Sequence, residues 1–249
     1  MNTVLSEMLR TGVTANASGK QIRLHSAVSE GEGLFLEQLV STLSPRLTLE
    51  IGLAGGVSAL FICQALPPGA RHMVIDPYQF ADPYGDGWEG AGLAAIQRAG
   101  YKHCIEFYPF PSYVVLPQLQ AKGTKIGFAF IDGWHTFDFT LVDFFFIDRM
   151  LEVGGVVAID DVGLPAVKKV CQYVLSNLSY AVCGGYPAEQ SRPSLKRRAV
   201  SALAKRSGWV ARVARPEFST DFGLYSDCRC LALRKLSDDV RPWDYHTEF

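Results

Sequence analysis

Short runs of apolar residues alternate along the chain with longer stretches whose apolar positions recur at helical spacing. "RLTLEIG" (46–52), "RHMVIDP" (71–77), "CIEFYPF" (104–110), "IGFAFI" (126–131) and "VVAIDD" (156–161) read as strands. Between them, "GGVSALFICQAL" (55–66) is helical and is stopped by Pro67-Pro68-Gly69. A loop rich in Gly, Asp and Pro precedes a helix that runs to Gly100, and "SYVVLPQLQA" (112–121) forms another. "FTLVDFFFIDRMLE" (139–152) is a helix ended by Gly154-Gly155, and "PAVKKVCQYVLSNL" (165–178) is the next. Ser29 followed by Glu32 forms a capping box that opens a helix through Leu43. "YAVCGGY" (180–186) supplies a sixth strand and "CRCLALRK" (228–235) a last, antiparallel one.

These strands are apolar throughout instead of alternating. That is the pattern of a parallel sheet covered on both faces by helices. The expectation is an α/β, doubly wound, mostly parallel seven-stranded Rossmann-like sheet with an antiparallel last strand. It forms one domain over 1–249, with an N-terminal helical cap at 1–44 and a basic insertion at 188–226 before the last strand. Ligands of such sheets bind outside the carboxyl ends of the strands. There the second strand ends in Asp76, the fourth in Asp132, and the fifth in Asp160 and Asp161.

Composition narrows the class without naming it. Apolar residues at 48% and charged residues at 20% allow a sizeable core and exclude a disordered chain. A net charge of -1 points to no polyanionic partner, so no nucleic acid is expected. No apolar run approaches the roughly 20 residues of a membrane span. "MNTVLSEMLRTGV" carries an early glutamate and no long apolar segment, so no secretory signal is read there. The six cysteines include no C-x-x-C pair and no zinc spacing. Cys63, Cys104, Cys171 and Cys183 stand singly in apolar surroundings; Cys228 and Cys230 would share one face of a strand. Reduced core thiols in a cytoplasmic protein are expected.

The loop after the first strand carries the first chemistry. In "LEIGLAGGVSALFI" (49–62), Gly52, Gly55 and Gly56 allow a sharp turn and a close approach to a ligand. The following helix offers its free N–H groups to an anionic group. Asp76 lies 24 positions after Gly52, where a carboxylate can accept from two ribose hydroxyls. The loop is not G-x-G-x-x-G, because Ala54 and Val57 replace the second and third glycines. That disfavours a NAD(P)-dependent oxidoreductase, the first alternative reading. "LEIGLAGGVSAL" resembles motif I of class I S-adenosylmethionine-dependent methyltransferases, most of all the catechol O-methyltransferase-like branch and its bacterial metal-dependent relatives acting on sugars and natural products. The resemblance covers roughly Val28 to Asn177. It implies that Glu50, Gly52 and Ser58 line the methionine end of the cofactor, with the backbone near Val28 closing over it. It also implies that Asp76 holds the ribose, that Pro77 and Tyr78 flank the adenine, and that Ser112 touches the adenine edge.

Neighbouring strand ends would bring Asp132 to the Asp160-Asp161 pair. Three crowded carboxylates either rise in pKa or are neutralised by a cation. Oxygen-only ligands favour a hard ion such as magnesium, with manganese or calcium as substitutes. Solvated loop carboxylates and helix caps are the plainer alternative. The resemblance agrees with the ion: its metal-dependent members end the fourth strand in aspartate and the fifth in Asp-Asn or Asp-Asp, which matches Asp132, Asp160 and Asp161. Asp132 would also face the cofactor.

In the catechol enzymes a lysine base lies three residues after the first aspartate; here that position is His135. Histidine can take a proton near neutral pH from a hydroxyl that then attacks the sulfonium methyl. Its presence moves the expected acceptor from a simple catechol to the hydroxyls of a sugar or natural-product scaffold. Trp134 is placed beside the adenine, with core packing as the other reading.

From Arg192 to Arg215 there are eight Lys/Arg and no Asp/Glu. Leu195, Ala199 and Leu203 recur at helical spacing, opposite Lys196, Arg197 and Lys205. A lid over an acidic substrate, a peripheral membrane contact through 192–215 and a homodimer contact are the readings. The resulting expectation is metal-assisted O-methylation of a small hydroxylated molecule. Besides the oxidoreductase, the alternatives are a non-catalytic S-adenosylmethionine-binding protein and a chemistry like that of cephalosporin hydroxylase-like proteins on the same fold.

Overall fold

The computed structural model describes residues 1–80, 87–187 and 228–249. The N-terminal part begins with helix α1 (Thr3–Thr11), the small hairpin β1 (Val13–Ala15) and β2 (Gln21–Arg23), and helix α2 (Glu30–Leu43). Strand β3 (Leu47–Ile51), helix α3 (Val57–Ala65), β4 (Arg71–Ile75) and α4 (Ala91–Arg98) follow. Next come β5 (Ile105–Tyr108), α5 (Ser112–Ala121), β6 (Ile126–Ile131), α6 (Phe137–Met150) and β7 (Leu151–Ile159). The chain closes with α7 (Pro165–Asn177), β8 (Tyr180–Tyr186) and β9 (Cys230–Lys235).

Seven strands form one sheet in the order β5-β4-β3-β6-β7-β9-β8. The pairs among β3, β4, β5, β6 and β7 are parallel; β9 pairs antiparallel with both β7 and β8. The expected Rossmann-like sheet with one antiparallel strand is therefore the observed one. Successive strand residues point into two separate cores, which explains why the strands carry apolar residues at nearly every position. Leu49, Ile51, Met73, Ala129, Ile131, Val157 and Leu231 pack with α5, α6 and α7. Phe128, Phe130, Val74, Val156, Ala158 and Ala232 pack with α2 and α3 on the other face. Each buried Leu, Ile, Val or Phe contributes about 1.5–3 kcal/mol relative to exposure, so both layers are strongly held.

Several boundaries differ from the expectation. The N-terminal cap is not purely helical, since β1 and β2 form a hairpin within it. Helix α6 ends at Met150, ahead of the glycines, and strand β7 begins at Leu151 and runs through Gly154-Gly155. The pairing of β6 with β7 shifts register between Ile126 and Phe128, so the glycines mark an irregularity inside a strand. Cys228 and Cys230 do not share a face: Cys228 precedes β9 and packs in the core with α7, while Cys230 packs in the opposite one. All six cysteines are free; five are buried, but Cys183 is exposed. The basic insertion at 188–226, with every reading placed on 192–215, lies outside the described residues. No helix among the described residues is long and apolar enough to cross a membrane.

Candidate active site

Strands β3, β4, β6 and β7 all end at one rim, and a cavity of ≈ 600 Å³ opens there. This is a usual size for a small-molecule site. The glycine loop forms its floor. Gly52 has φ 93, and a Cβ there would meet the backbone oxygen of Asp132 at 2.1 Å, so only glycine fits. Gly56, at φ 88, begins α3 with no side-chain cap. The α3 N-terminus therefore faces the cavity through Val57 and Ser58.

Asp76 latches this loop. Its Oδ2 accepts from the backbone N–H groups of Leu53 at 3.1 Å and Ala54 at 3.0 Å, and from Gln79 Nε2 at 2.9 Å. Its Oδ1 accepts from Tyr78 N at 2.8 Å. Oδ1 keeps acceptor capacity for one further donor, which leaves room for the expected ribose contact. Asp76 thus has a structural duty that its place in the sequence did not reveal.

Val28, Gly52, Ser58, Asp76, Pro77, Tyr78, Ser112, Asp132, Trp134 and His135 all line the cavity. Glu50 does not. It is fully buried behind the loop, where His72 Nε2 lies 2.9 Å from its Oε2, and His72 Nδ1 lies 2.8 Å from Thr48 Oγ1. The period-two pleat explains the difference: Leu49 and Ile51 face one core, so Glu50 faces the other. Its Oε1 is buried with no hydrogen-bond partner. His25, Trp88, Tyr113, Phe139 and Asp143 also line the cavity and escaped the sequence reading. His25 stacks on Trp88 at 4.7 Å. Asp143 of α6 is buried, and burial pushes its carboxyl up to about 7, with Ser112 hydrogen-bonded to it. An acid within "FTLVDFFFID" was the available signal for Asp143. Trp134 and Tyr113 both lean on Phe139, making an aromatic wall.

The acidic strand ends do converge. Asp132 N donates to Ile51 O, and Asp160 N to Ile131 O, each at 3.0 Å, which sets the three strand ends level. His135 Nε2 lies 3.4 Å from Asp132 Oδ1 and 3.5 Å from Asp161 Oδ2. These are ion-pair distances, but Nε2 makes no hydrogen bond. Contact with Asp132 raises the imidazole above its ordinary value, against burial. Burial and the neighbouring Asp160 push Asp132 up to about 7, against the His135 contact.

Two further groups, which the sequence reading did not place at this rim, belong to this cluster. Arg229, just before β9, donates from Nε to Asp160 Oδ1 at 3.2 Å and from Nη2 to Asp160 Oδ2 at 3.1 Å. Its Nε also lies 3.5 Å from Asp161 Oδ1 and 3.5 Å from Glu32 Oε2. Glu32 is wholly buried. Only half of the expected capping box forms: Glu32 N donates to Ser29 Oγ at 3.3 Å, while the Glu32 carboxyl turns to the rim. Burial and Asp160 push that carboxyl up to about 9, so it is neutral near pH 7.

This arrangement bears on the expected ion. A hard divalent cation takes six or more oxygens. Each oxygen of Asp160 accepts one hydrogen bond from the guanidinium, and Asp132 and Asp161 share His135, so an ion would compete with two protein groups for the same carboxylates. Among the described residues, no group of three or more His, Cys, Asp or Glu side chains could hold a metal. As arranged, Asp132, Asp160 and Asp161 face Arg229 and His135. The crowding that suggested an ion is relieved by Arg229 and His135.

Comparison with known proteins points the same way as the loop. Residues 49–162 match the family model of a methyltransferase domain. A caffeoyl-CoA O-methyltransferase from Nicotiana tabacum is 31% identical over 140 residues, covering 53% of this chain and 52% of that protein. A flavonoid 3',5'-methyltransferase from Vitis vinifera is 29% identical over 139 residues, covering 52% and 53%. The chain thus matches about half the length of these relatives. The fold resembles that of an O-methyltransferase from Bacillus cereus in complex with SAH, with a TM-score of 0.59, 20% identity, and coverage of 73% of this chain and 83% of the other. It also resembles an O-methyltransferase from Streptomyces achromogenes involved in tomaymycin synthesis, in complex with SAM, at TM-score 0.57, 21% identity, and coverage of 73% and 82%.

Proposed function

We propose, for a chain whose residues 49–162 match the family model of a methyltransferase domain, the transfer of a methyl group from S-adenosylmethionine to a hydroxyl oxygen of a small molecule. One observation carries the reading: the latched glycine loop and His135 line the same cavity, so donor and base meet in one space. Val28, Gly52 and Ser58 would hold the methionine end. Asp76 Oδ1 would accept from the ribose, and Pro77, Tyr78, Ser112 and Trp134 would enclose the adenine. Asp132 would close the methionine side, and Glu50 would act from behind the loop without touching the cofactor.

S-adenosylmethionine supplies the electrophilic methyl on a sulfonium centre. His135 Nε2 would take the proton of the acceptor hydroxyl and pass it to solvent; the methyl would leave its sulfur for the acceptor oxygen, so that one C–S bond is exchanged for one C–O bond. Much of the rate would come from holding oxygen, carbon and sulfur in register. The relatives named for caffeoyl-CoA and flavonoids act on hydroxylated aromatics by their names, while His135 in place of a lysine favours the hydroxyls of a sugar or natural-product scaffold. No step is routed through an ion.

The test is calorimetry with S-adenosylhomocysteine and NAD, followed by transfer of labelled methyl from S-adenosylmethionine to a panel of vicinal diols. Binding of S-adenosylhomocysteine and label in an ether product are expected. Binding of NAD with none of S-adenosylhomocysteine would overturn the reading in favour of an oxidoreductase. Binding without transfer to any acceptor would favour a non-catalytic cofactor-binding protein.

A further inference from the structure

We propose that Arg229 is the resident cation of the carboxylate rim, standing against the carboxylates that a divalent ion would need, so that the site works without a metal. The proposal rests on the methyltransferase reading for its catalytic part, but its binding part does not.

The charge balance comes first. Glu32, Asp160 and Asp161 meet against the Arg229 guanidinium, and Asp132 lies beside His135. Asp160 takes two hydrogen bonds from one guanidinium, at 3.2 and 3.1 Å. The same Nε approaches Asp161 and Glu32 at 3.5 Å each. His135 approaches Asp132 and Asp161 from the other side. An ion entering between these carboxylates would have to displace the two-point pair on Asp160 and sit beside a guanidinium. Arginine is suited to the post because its planar fork fits a carboxylate in two-point fashion and never loses its charge.

Backbone geometry fixes the arginine there. Arg229 N donates to Tyr186 O at 2.7 Å, and Val162 N donates to Arg229 O at 2.8 Å. These bonds tie its main chain to the ends of β8 and β7, one residue before β9 begins. Because β9 is antiparallel, its first residues lie at the carboxyl rim of the parallel strands. An arginine at the start of the reversed strand therefore falls beside the acids that end β7. Arg229 does not line the cavity, so it is a positioning residue: it holds Asp160 and Asp161 in place, and they in turn flank His135.

The experiment titrates the full-length protein with Mn²⁺ alone, by electron paramagnetic resonance, for wild type, Arg229→Met and Arg229→Lys. Wild type and Arg229→Lys should bind no Mn²⁺ at the micromolar level. Arg229→Met, with its cation gone, should bind one Mn²⁺, and Asp160→Asn added to it should abolish that binding. In parallel, wild-type methyl transfer should be unchanged in excess chelator, and that of Arg229→Met should fall about tenfold or more and recover in part with Mn²⁺. Micromolar Mn²⁺ binding by wild type, or loss of its activity in chelator, would overturn the proposal. A folded Arg229→Met protein that binds S-adenosylhomocysteine but gains no Mn²⁺ would show that Arg229 does not hold an ion's place. If Arg229→Met fails to fold, wild type and Arg229→Lys still decide. A protein that binds no S-adenosylhomocysteine would defeat the functional reading instead and leave the Mn²⁺ result to judge the rim.

Discussion

Two carboxylate sites at the same rim are satisfied in opposite ways. Asp76 takes its hydrogen bonds from neutral donors close by in sequence: the N–H groups of Leu53, Ala54 and Tyr78 and the amide of Gln79. Asp132, Asp160 and Asp161 take their compensation from cations, one of them 69 residues from Asp160. Backbone dipoles held in a tight loop make a rigid, uncharged cradle suited to binding. The ion-pair cluster keeps titratable groups near neutrality, suited to moving a proton. Identical side-chain chemistry at equivalent strand ends therefore serves two purposes, and the partners decide which.

The largest effect expected from separating the two sites is on turnover. His135→Ala should lower kcat by about 10²- to 10⁴-fold while affinity for S-adenosylhomocysteine stays nearly unchanged. Single-turnover kinetics with labelled cofactor measures the first quantity and calorimetry the second. An unchanged kcat would remove His135 from the chemistry and leave the rim a structural cluster.

On the other side, Asp76→Asn should strike binding and stability together. The amide cannot accept on both arms, and each hydrogen bond to a charged group contributes about 1.5–3 kcal/mol. A lower melting temperature and weaker binding of S-adenosylhomocysteine should appear in the same variant. Full stability with weakened binding would mean that Asp76 serves the ligand and not the loop.

The smallest expected effect is a displacement on the pH axis. Asp132 is the chief cause of the raised His135 value. A base must be neutral to act, so the acid limb of kcat/KM should lie above the ordinary imidazole range. Asp132→Asn should move that limb to lower pH. The sign for stability is opposite in use: the raised value contributes stability at low pH that is lost as pH rises through it. A limb that stays fixed in Asp132→Asn would separate the two groups.

How much of this was legible in the sequence follows from the range of each interaction. The apolar runs are buried on both faces, so the parallel sheet and the reversed last strand could be read directly. The converging ends of β6 and β7 followed from their adjacency, and with them the meeting of Asp132, Asp160, Asp161 and His135. Glu50 was misplaced because the motif names a residue without saying which core its side chain enters; the pleat of Leu49 and Ile51 held that information. Glu32 was assigned to a cap because local spacing fits a cap, while only tertiary packing reveals that its carboxyl turns inward. Arg229 was placed in the last strand, yet its meaning depends on the direction of that strand relative to Asp160. Arg229 stands 69 residues from Asp160, and no local pattern in the sequence links the two.

The position of β9 has one more consequence, for the order in which the molecule is completed. The strand is the second last in the sheet but the last in the chain, and β8 has β9 as its partner in the sheet. Until residues 230–235 slide between β7 and β8, the apolar edge of β7 lacks its neighbour and β8 has nowhere to pair. Buried Lys235 then fastens the far end of β9, donating to the carbonyl oxygens of Asp148 and Leu151 at 2.6 and 3.1 Å. Arg229 travels on the same segment. Closure of the architecture and discharge of the acidic rim are thus one topological event.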